Sequence, residues 1–568
     1  NVRTAIAAQR DVVLAYLGQA PSAAEQPRSA VVDERPAPRA RAGRATLPAH
    51  PVAMPPLAPV VIDVAPTPDA SDPMALVLAI VSERTGYPPE TIGPDLDLEA
   101  DLSIDSIKRI EIVGELAARL GLKVGGGGDD AMVEELATRK TLRALVEWLA
   151  ARRNGEAAAT SGAAVAPTPL PEPAAPPATV GRYVFARIPA PSATPRAAAF
   201  AGRTMIVVDD GLGVAPALAS RLSADGAAVQ VIGPGERATG AAHQSLIHLA
   251  GLAATAHDGD GATAAMTAMF DHVKDAVVGG ASSLMVVTGL GGRFGDSPPD
   301  AQLRGDGAGG LIKTVAAEWP TVRARRVDLD PRETPARLAE LLHAELATDD
   351  DLLEIGHAHG ERMTRTLVPA SLAASAALTL PPEAVVLITG GARGITARVA
   401  IELARRWRCH LELVGRSPLP GPEPAALIAA HDPPALRRAI LAAGLATEPA
   451  AVEALCARVL ADREIRGTLA ALHATGAKLR YHACDVRTPA FAAVIDDIYA
   501  RHGRLDGAIH GAGILEDKLI RHKTADSFAR VYGTKVAGAL TLAAKLRADT
   551  RFAVFFASIS GALGNRGQ

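Results

Sequence analysis

Ala384-Val385-Val386-Leu387-Ile388-Thr389-Gly390-Gly391-Ala392-Arg393-Gly394-Ile395-Thr396 is an apolar run that ends in a glycine-rich turn and opens into a helical pattern. Strand, tight turn and helix, in that order, form the setting in which a dinucleotide is held. The glycines let the backbone approach a pyrophosphate, and the free N–H groups of a helix start favour its charge. A plain tight turn is the bland alternative for such a loop, and the flanking sequence decides between them. Further apolar runs follow at His410–Val414, Leu479–Cys484, Ala508–His510 and Phe552–Ala557, separated by helical segments. That alternation predicts a doubly wound α/β unit over 379–568, with the quoted run as its first strand.

Upstream, residues 181–378 show the same alternation. Met205–Val208, Ala228–Ile232 and Leu284–Val287 read as buried parallel strands, with a helix over Val214–Ala224. Two Rossmann-like units in tandem are therefore expected. Between the second and third strands of the later unit lies an insertion, residues 418–476. It opens with Pro418, Pro420, Pro422 and Pro424 and turns helical over Ala451–Leu460 and Glu464–His473. A plain crossover is far shorter.

The N-terminal third is different. Residues 1–17 read as a helix, the tail of a preceding domain. Residues 18–72 and 154–180 are Pro/Ala tracts that cannot build a packed core and act as extended spacers. They bracket residues 73–153, a small all-helical bundle. Its centre is Asp101-Leu102-Ser103-Ile104-Asp105-Ser106-Ile107-Lys108-Arg109-Ile110-Glu111. After Ser106, Ile107, Ile110, Val113, Ala117 and Leu120 fall on one helix face. A serine there is ordinarily an N-cap. A small domain between two long tethers, however, is one that must move, and an exposed serine at a helix start suits covalent attachment of a phosphodiester arm.

Net charge is −3 with no dominant basic run, which argues against nucleic acid. Cys409, Cys456 and Cys484 are too scattered for a disulfide framework or a metal site, so a reducing cytoplasm is the default. No uninterrupted apolar stretch reaches the ~18 residues of a membrane span. The chain starts at Asn1 and stops inside an α/β pattern, and is expected to be a piece of something longer.

The run around Ser106 resembles the carrier-protein motif of polyunsaturated fatty acid synthases and related iterative polyketide synthases. Ser103 stands where that family usually has glycine. The resemblance implies 4′-phosphopantetheine on Ser106, attached by a phosphopantetheinyl transferase, with acyl thioesters as cargo. It also implies other synthase domains (ketosynthase, acyltransferase, dehydratase) as partners.

The T-G-x-x-x-G spacing of Thr389, Gly390, Gly391, Arg393, Gly394 and Ile395 resembles short-chain dehydrogenases, including ketoreductase domains. Thr396 replaces the usual last glycine. At the end of the next strand, Leu413-Val414-Gly415-Arg416-Ser417 offers Arg416 where an NAD enzyme tends to have an acidic residue. Arg416, helped by Arg393, points to the 2′-phosphate of NADPH. In the same family Asp485-Val486 contacts the adenine and Gly511-Ala512-Gly513 runs beside the nicotinamide ribose. Lys535 matches the family's lysine and Ser558 its serine, with Ser560 as the less favoured alternative. The family's tyrosine is expected about three residues beyond Gln568; Tyr481 and Tyr532 lie elsewhere in the sequence. In this reading the 568 residues by themselves reduce ketones poorly or not at all.

Residues 181–378 resemble the structural half of such ketoreductases. Asp210-Gly211-Leu212-Gly213 lacks the cofactor pattern, while Gly309–Lys313 and Arg326–Asp330 fit the bracing half. Ala461–Leu469 adds to the resemblance to the polyunsaturated group; an enediyne-type or glycolipid-type synthase remains open. The expected function is carriage of an acyl chain and NADPH-dependent reduction of a 3-oxoacyl thioester. The alternative is a carrier and scaffold segment with an inactive reductase half.

Overall fold

The computed structural model describes residues 73–85, 87, 92–96, 141–144, 146–147, 182–192, 200–237, 245–253, 259–296, 307–371 and 378–568. Ser106 and the helix expected after it, the tail at 1–17 and the tracts at 18–72 and 154–180 lie outside the described residues. The chain divides into two compact units: residues 1–163 with 431–453, and residues 164–430 with 454–568.

In the first unit, α1 (Pro73–Thr85) buries Val77, Ile80 and Val81. That i, i+3, i+4 spacing makes one apolar stripe. Ser82 Oγ donates to the Tyr87 carbonyl at 2.6 Å just past the helix end. Leu142 and Ile92 are also buried.

The second unit contains two sheets. The first has eight strands: β1 (Tyr183–Pro189), β2 (Thr204–Val208), β3 (Ala228–Ile232), β4 (Ser245–His248), β5 (Ser283–Thr288), β6 (Arg323–Asp328), β7 (Glu354–Ala358) and β8 (Glu361–Pro369). Their order is β1-β8-β7-β6-β5-β4-β2-β3, parallel except where β8 pairs antiparallel with β1 and β7. Helices α2 (Val214–Ala224), α3 (Gly259–Val278), α4 (Ala308–Glu318) and α5 (Pro335–Ala347) connect them. The three expected strands and the helix over Val214–Ala224 are present, but β3, expected to be buried, is an edge strand with Ala228 and Val231 exposed. The antiparallel edge was hidden because β1 is only partly buried and is interrupted by Arg187, and β8 mixes arginine and threonine with its apolar residues.

The second sheet holds β9 (Val385–Thr389), β10 (His410–Gly415), β11 (Leu479–Ala483), β12 (Gly507–His510) and β13 (Phe552–Phe555), all parallel, in the order β11-β10-β9-β12-β13. The order reverses between β9 and β12, which opens a crevice at their carboxyl ends. All five residues of β9 are buried. The helices that follow β9 along the chain are α6 (Gly394–Trp407), α7 (Pro433–Ala442, in the first unit), α8 (Pro449–His473), α9 (Pro489–His502), α10 (Ala525–Lys545) and α11 (Ile559–Leu563). The two helices expected in the insertion are one, α8; nothing in Ala461-Asp462-Arg463 interrupts a helix. Residues 431–453 belong to the first unit, where Tyr87 Oη donates to Glu453 Oε1 at 2.7 Å and Arg437 Nη2 donates to Glu453 Oε2 at 3.1 Å.

Within the second unit, α3 and α10 join the two sheets. Phe270 stacks on Phe528 at 4.5 Å between ring centroids, and Phe528 on Tyr532 at 5.7 Å. Gly259 permits the approach: a Cβ there would lie 2.5 Å from Ala537.

Three buried carboxylates are held by basic side chains. Glu345 bonds Arg325, Arg362 and His357; Glu354 bonds Lys313, Arg326 and Arg365; Glu412 bonds Arg501, His482 and His502. Burial by itself would raise all three, but the hydrogen bonds and charges of these partners outweigh it and bring each down to about 2. Depressed carboxylates stabilise the fold fully above the unfolded value of about 4.3 and lose that contribution as pH falls toward the folded value. Thermal unfolding followed from pH 8 to pH 2 is therefore expected to decline gently below about pH 6.5, where the buried neutral His248 and His510 would have to charge, and to fall more steeply below about pH 4.5 as these carboxylates protonate. A flat profile below pH 4 would show that these clusters are not formed in solution.

Candidate functional site

The glycine-rich turn sits at the carboxyl end of β9, on the crevice. Gly390 has φ +70°, and a Cβ there would lie 2.8 Å from the Gly511 carbonyl carbon and 2.9 Å from the Ala512 nitrogen. Gly394, at the start of α6, has φ +61° with nothing within 4 Å of a built Cβ. Gly390 thus lets the two loops meet, and Gly394 leaves open space beside the first turn of α6. Thr396, in place of the usual glycine, is accommodated across the contact: a Cβ on Gly511 would come 2.2 Å from its Oγ1. A close-approach loop at a helix N-terminus fits a dinucleotide.

His510 fastens this loop to α10. Its Nε2 bonds the Lys535 carbonyl at 3.0 Å, and Thr389 Oγ1 bonds its Nδ1 at 2.8 Å. The carbonyl can only accept, so Nε2 carries the hydrogen and Nδ1 accepts from the threonine. Thr389 Oγ1 in turn accepts from Ala512 N at 3.1 Å. Burial pushes the imidazole down to about 4, which keeps it neutral. The sequence reading passed over His510 as part of a small-residue turn; a polar residue ending an apolar strand was the available signal.

Lys535 and Ser558 line one cavity of about 1030 Å³, together with Met266, Phe270 and Leu540. Lys535 Nζ donates to the Phe556 carbonyl at 2.8 Å, two residues before Ser558. Burial lowers the lysine below its ordinary range. A Cβ on Gly513 would lie 2.9 Å from Lys535 Cε, so that glycine makes room for the side chain. Ser558 ends the loop after β13 and caps α11, its Oγ accepting from Ser560 N at 3.2 Å. Its hydroxyl hydrogen is left for another acceptor. Ser560 Oγ bonds Gln568 instead and lines the same cavity. Tyr532, which its sequence position set apart, also lines this cavity, one helical turn before Lys535.

Helix α4 of the first sheet supports the Ser558 segment. Lys313 Nζ donates to the Ala562 carbonyl at 2.6 Å, Thr314 Oγ1 accepts from Asn565 N at 3.3 Å, and Glu318 accepts from Gly567 N at 2.9 Å and Ile520 N at 2.8 Å. The turn Asp210–Gly213 has the opposite character from the turn after β9. The buried Asp210 carboxylate accepts from Leu212 N, Val214 N and Ala215 N at 3.0, 3.3 and 2.9 Å, so the start of α2 already holds an anion of its own.

The two arginines differ. Arg416 is exposed just past the end of β10; Asp485 is held below the usual carboxylate range mainly by its hydrogen bonds from Arg487, with the charge of Arg416 as the smallest contribution. Asp485 is itself bound by the Arg487 guanidinium, Nη2 to Oδ2 at 2.7 Å, and Val486 beside it is buried. Arg393 faces Glu464 of α8, with Nε 3.0 Å from Oε2, and Gly394 N donates to Glu464 Oε1 at 2.7 Å. Glu464 had no assigned part in the sequence reading. Among the described residues no cluster suited to a metal ion occurs, and no helix is long and apolar enough to cross a membrane.

Comparison with known proteins places both halves. The KR domain family matches residues 384–568, and the phosphopantetheine attachment site family matches residues 75–149. The chain is 31% identical over 562 residues to a polyunsaturated fatty acid synthase from Thraustochytrium sp., covering 87% of this chain and 19% of that protein. It is 32% identical over 223 residues to polyketide synthase ThaG of Burkholderia thailandensis, covering 38% of this chain and 3% of that one. It thus spans a small part of each relative. An N-terminal ketoreductase from a macrolactin assembly line shares the fold, with a TM-score of 0.50 at 19% identity over 68% of this chain and 76% of that one. Joining a phosphopantetheine attachment domain to a KR domain, the chain is a carrier-protein plus ketoreductase segment, similar to the corresponding segment of polyunsaturated fatty acid and polyketide synthases.

Proposed function

We propose that Ser106 carries a 3-oxoacyl chain as a phosphopantetheine thioester, and that the turn after β9 holds NADPH for reduction of that chain to the 3-hydroxyacyl thioester. The observation that supports the reductive site best is Lys535 and Ser558 on the wall of one largely apolar cavity, at the carboxyl ends of the strands beside the crevice. NADPH, when bound, supplies the hydride. Thr389, Gly390, Gly391, Gly394 and Ile395 would hold its pyrophosphate, Arg416 its 2′-phosphate, Asp485 and Val486 its adenine, and Gly511–Gly513 its nicotinamide ribose. Ser558 Oγ donates to the β-carbonyl oxygen and orients it. The Lys535 ammonium stabilises the charge that gathers on that oxygen. The apolar lining takes the acyl chain and keeps water away. The chain is expected to bind NADPH.

Two measurements test this. Incubation with coenzyme A and a promiscuous phosphopantetheinyl transferase is expected to add one phosphopantetheine to the intact mass, and Ser106→Ala to add none. Titration with NADPH is expected to show saturable binding that Arg416→Ala weakens roughly tenfold, the loss of one charge-assisted contact. Loading that survives Ser106→Ala, or NADPH binding indifferent to Arg416, would overturn the corresponding half.

A further inference from the structure

Two strand-to-helix turns of the second unit, those after β2 and after β9, each present backbone N–H groups to a carboxylate, but in different ways. At the start of α2 the anion is Asp210, from the turn itself, 4% exposed and accepting three N–H bonds. It is part of the loop and closes that position. At the start of α6 the anion is Glu464, which comes from a separate helix and sits in a pair whose side chains are 54% and 42% exposed. Glu464 takes the Gly394 N–H with one oxygen and Arg393 with the other. These are the groups a dinucleotide phosphate needs: the first N–H of a helix after a glycine-rich turn, and the adjacent cation.

The placement of Glu464 is built. On either side of it, Arg463 donates to Glu423 Oε1 at 3.0 Å and to the Ala430 and Leu427 carbonyls at 2.6 and 2.7 Å, and Arg466 donates to Glu423 Oε2 at 3.1 Å. These bonds pin α8 to the start of the insertion, so the carboxylate is aimed at the loop and can withdraw by rotating its own side chain. Exposed ion pairs are weak, so such a withdrawal is cheap.

Resting on the cofactor reading above, we propose that Glu464 is an internal competitor for the cofactor's phosphates, occupying their seat at the start of α6 and yielding it when the dinucleotide binds. The insertion thereby sets how tightly the loop takes its cofactor.

The test is NADPH titration of the full chain, followed by the cofactor's fluorescence, for wild type, Glu464→Gln and Glu464→Ala. Glu464→Gln keeps the size and an acceptor for Gly394 N but not the charge. Both variants are expected to lower the dissociation constant, by roughly two- to tenfold, with thermal midpoints checked to show that the fold is intact. Wild type that binds NADPH while both variants bind it equally or more weakly would overturn the competitor role alone, and would make Glu464 a support of the loop. Failure of all three proteins to bind would overturn the cofactor reading and this proposal with it.

Discussion

Replacing Glu354 with alanine is expected to cost about 3–5 kcal/mol of unfolding free energy, the range for stripping one partner from a buried ion pair. Glu354 is the shared anion of three cations: Lys313 Nζ at 2.6 Å, Arg326 Nη1 at 3.2 Å and Arg365 Nη2 at 2.6 Å. Arg326 has no exposed surface, and Lys313 only 5%. Water cannot take over for the lost carboxylate at these groups. The rings of Phe185 and Phe294 lie 4.5 and 5.1 Å from Arg365, but a ring quadrupole replaces little of a full charge. Lys313→Met should be milder, because Glu354 keeps both arginines and the methionine keeps the volume. Urea unfolding of the three proteins checks the order. Glu354→Ala equal to wild type would mean the cluster is solvated in solution. The same substitution should reach the site, since Lys313 also donates to the Ala562 carbonyl four residues after Ser558.

How much of this was legible follows from what each feature depends on. Central strands such as Val385–Thr389 were readable because burial on both faces makes a continuous apolar run, whereas the parallel strands β4, β6 and β7, with Ser245, the arginines of β6 and Glu354, carry no such run and were not read. The turn after β9 was readable because positive φ and close approach demand glycine at particular places. The edge strands β1 and β8 were not, because a half-exposed antiparallel pair carries arginine and threonine as readily as valine. His510 and Glu464 were not, because their meaning lies in partners 121 and 70 positions away. A buried imidazole between Thr389 and the Lys535 carbonyl leaves as its local trace only a polar residue at the end of an apolar strand. Asp210 shows the converse: a turn with glycines and an aspartate is ambiguous in sequence, and the three N–H bonds to its carboxylate are what separate a closed turn from an open one. The support of the Ser558 segment by α4 was legible only as an expectation that residues 181–378 brace the later half; Lys313, Thr314 and Glu318 supply its physical content.

Gly390→Ala and Gly394→Ala are expected to separate the two duties of the glycine-rich turn. Both residues have positive φ, so either substitution carries the ~1 kcal/mol strain of a left-handed L-residue. Only at Gly390 does the new Cβ strike backbone, 2.8 Å from Gly511 and 2.9 Å from Ala512, and neither loop can yield without parting β9 from β12. Gly390→Ala should therefore lose an additional ~1–3 kcal/mol, the ordinary cost of overpacking, and with it most NADPH affinity. At Gly394 the Cβ meets nothing within 4 Å, so stability should fall by the strain alone. Affinity should fall further than stability there, because the methyl group stands beside the N–H that Glu464 now holds and the cofactor's phosphate is proposed to take. Thermal unfolding and NADPH titration of each variant give the two readings independently. Gly394→Ala with wild-type affinity would place the phosphates away from the start of α6. Gly390→Ala with wild-type stability would show that the β9 and β12 loops are not in contact in solution.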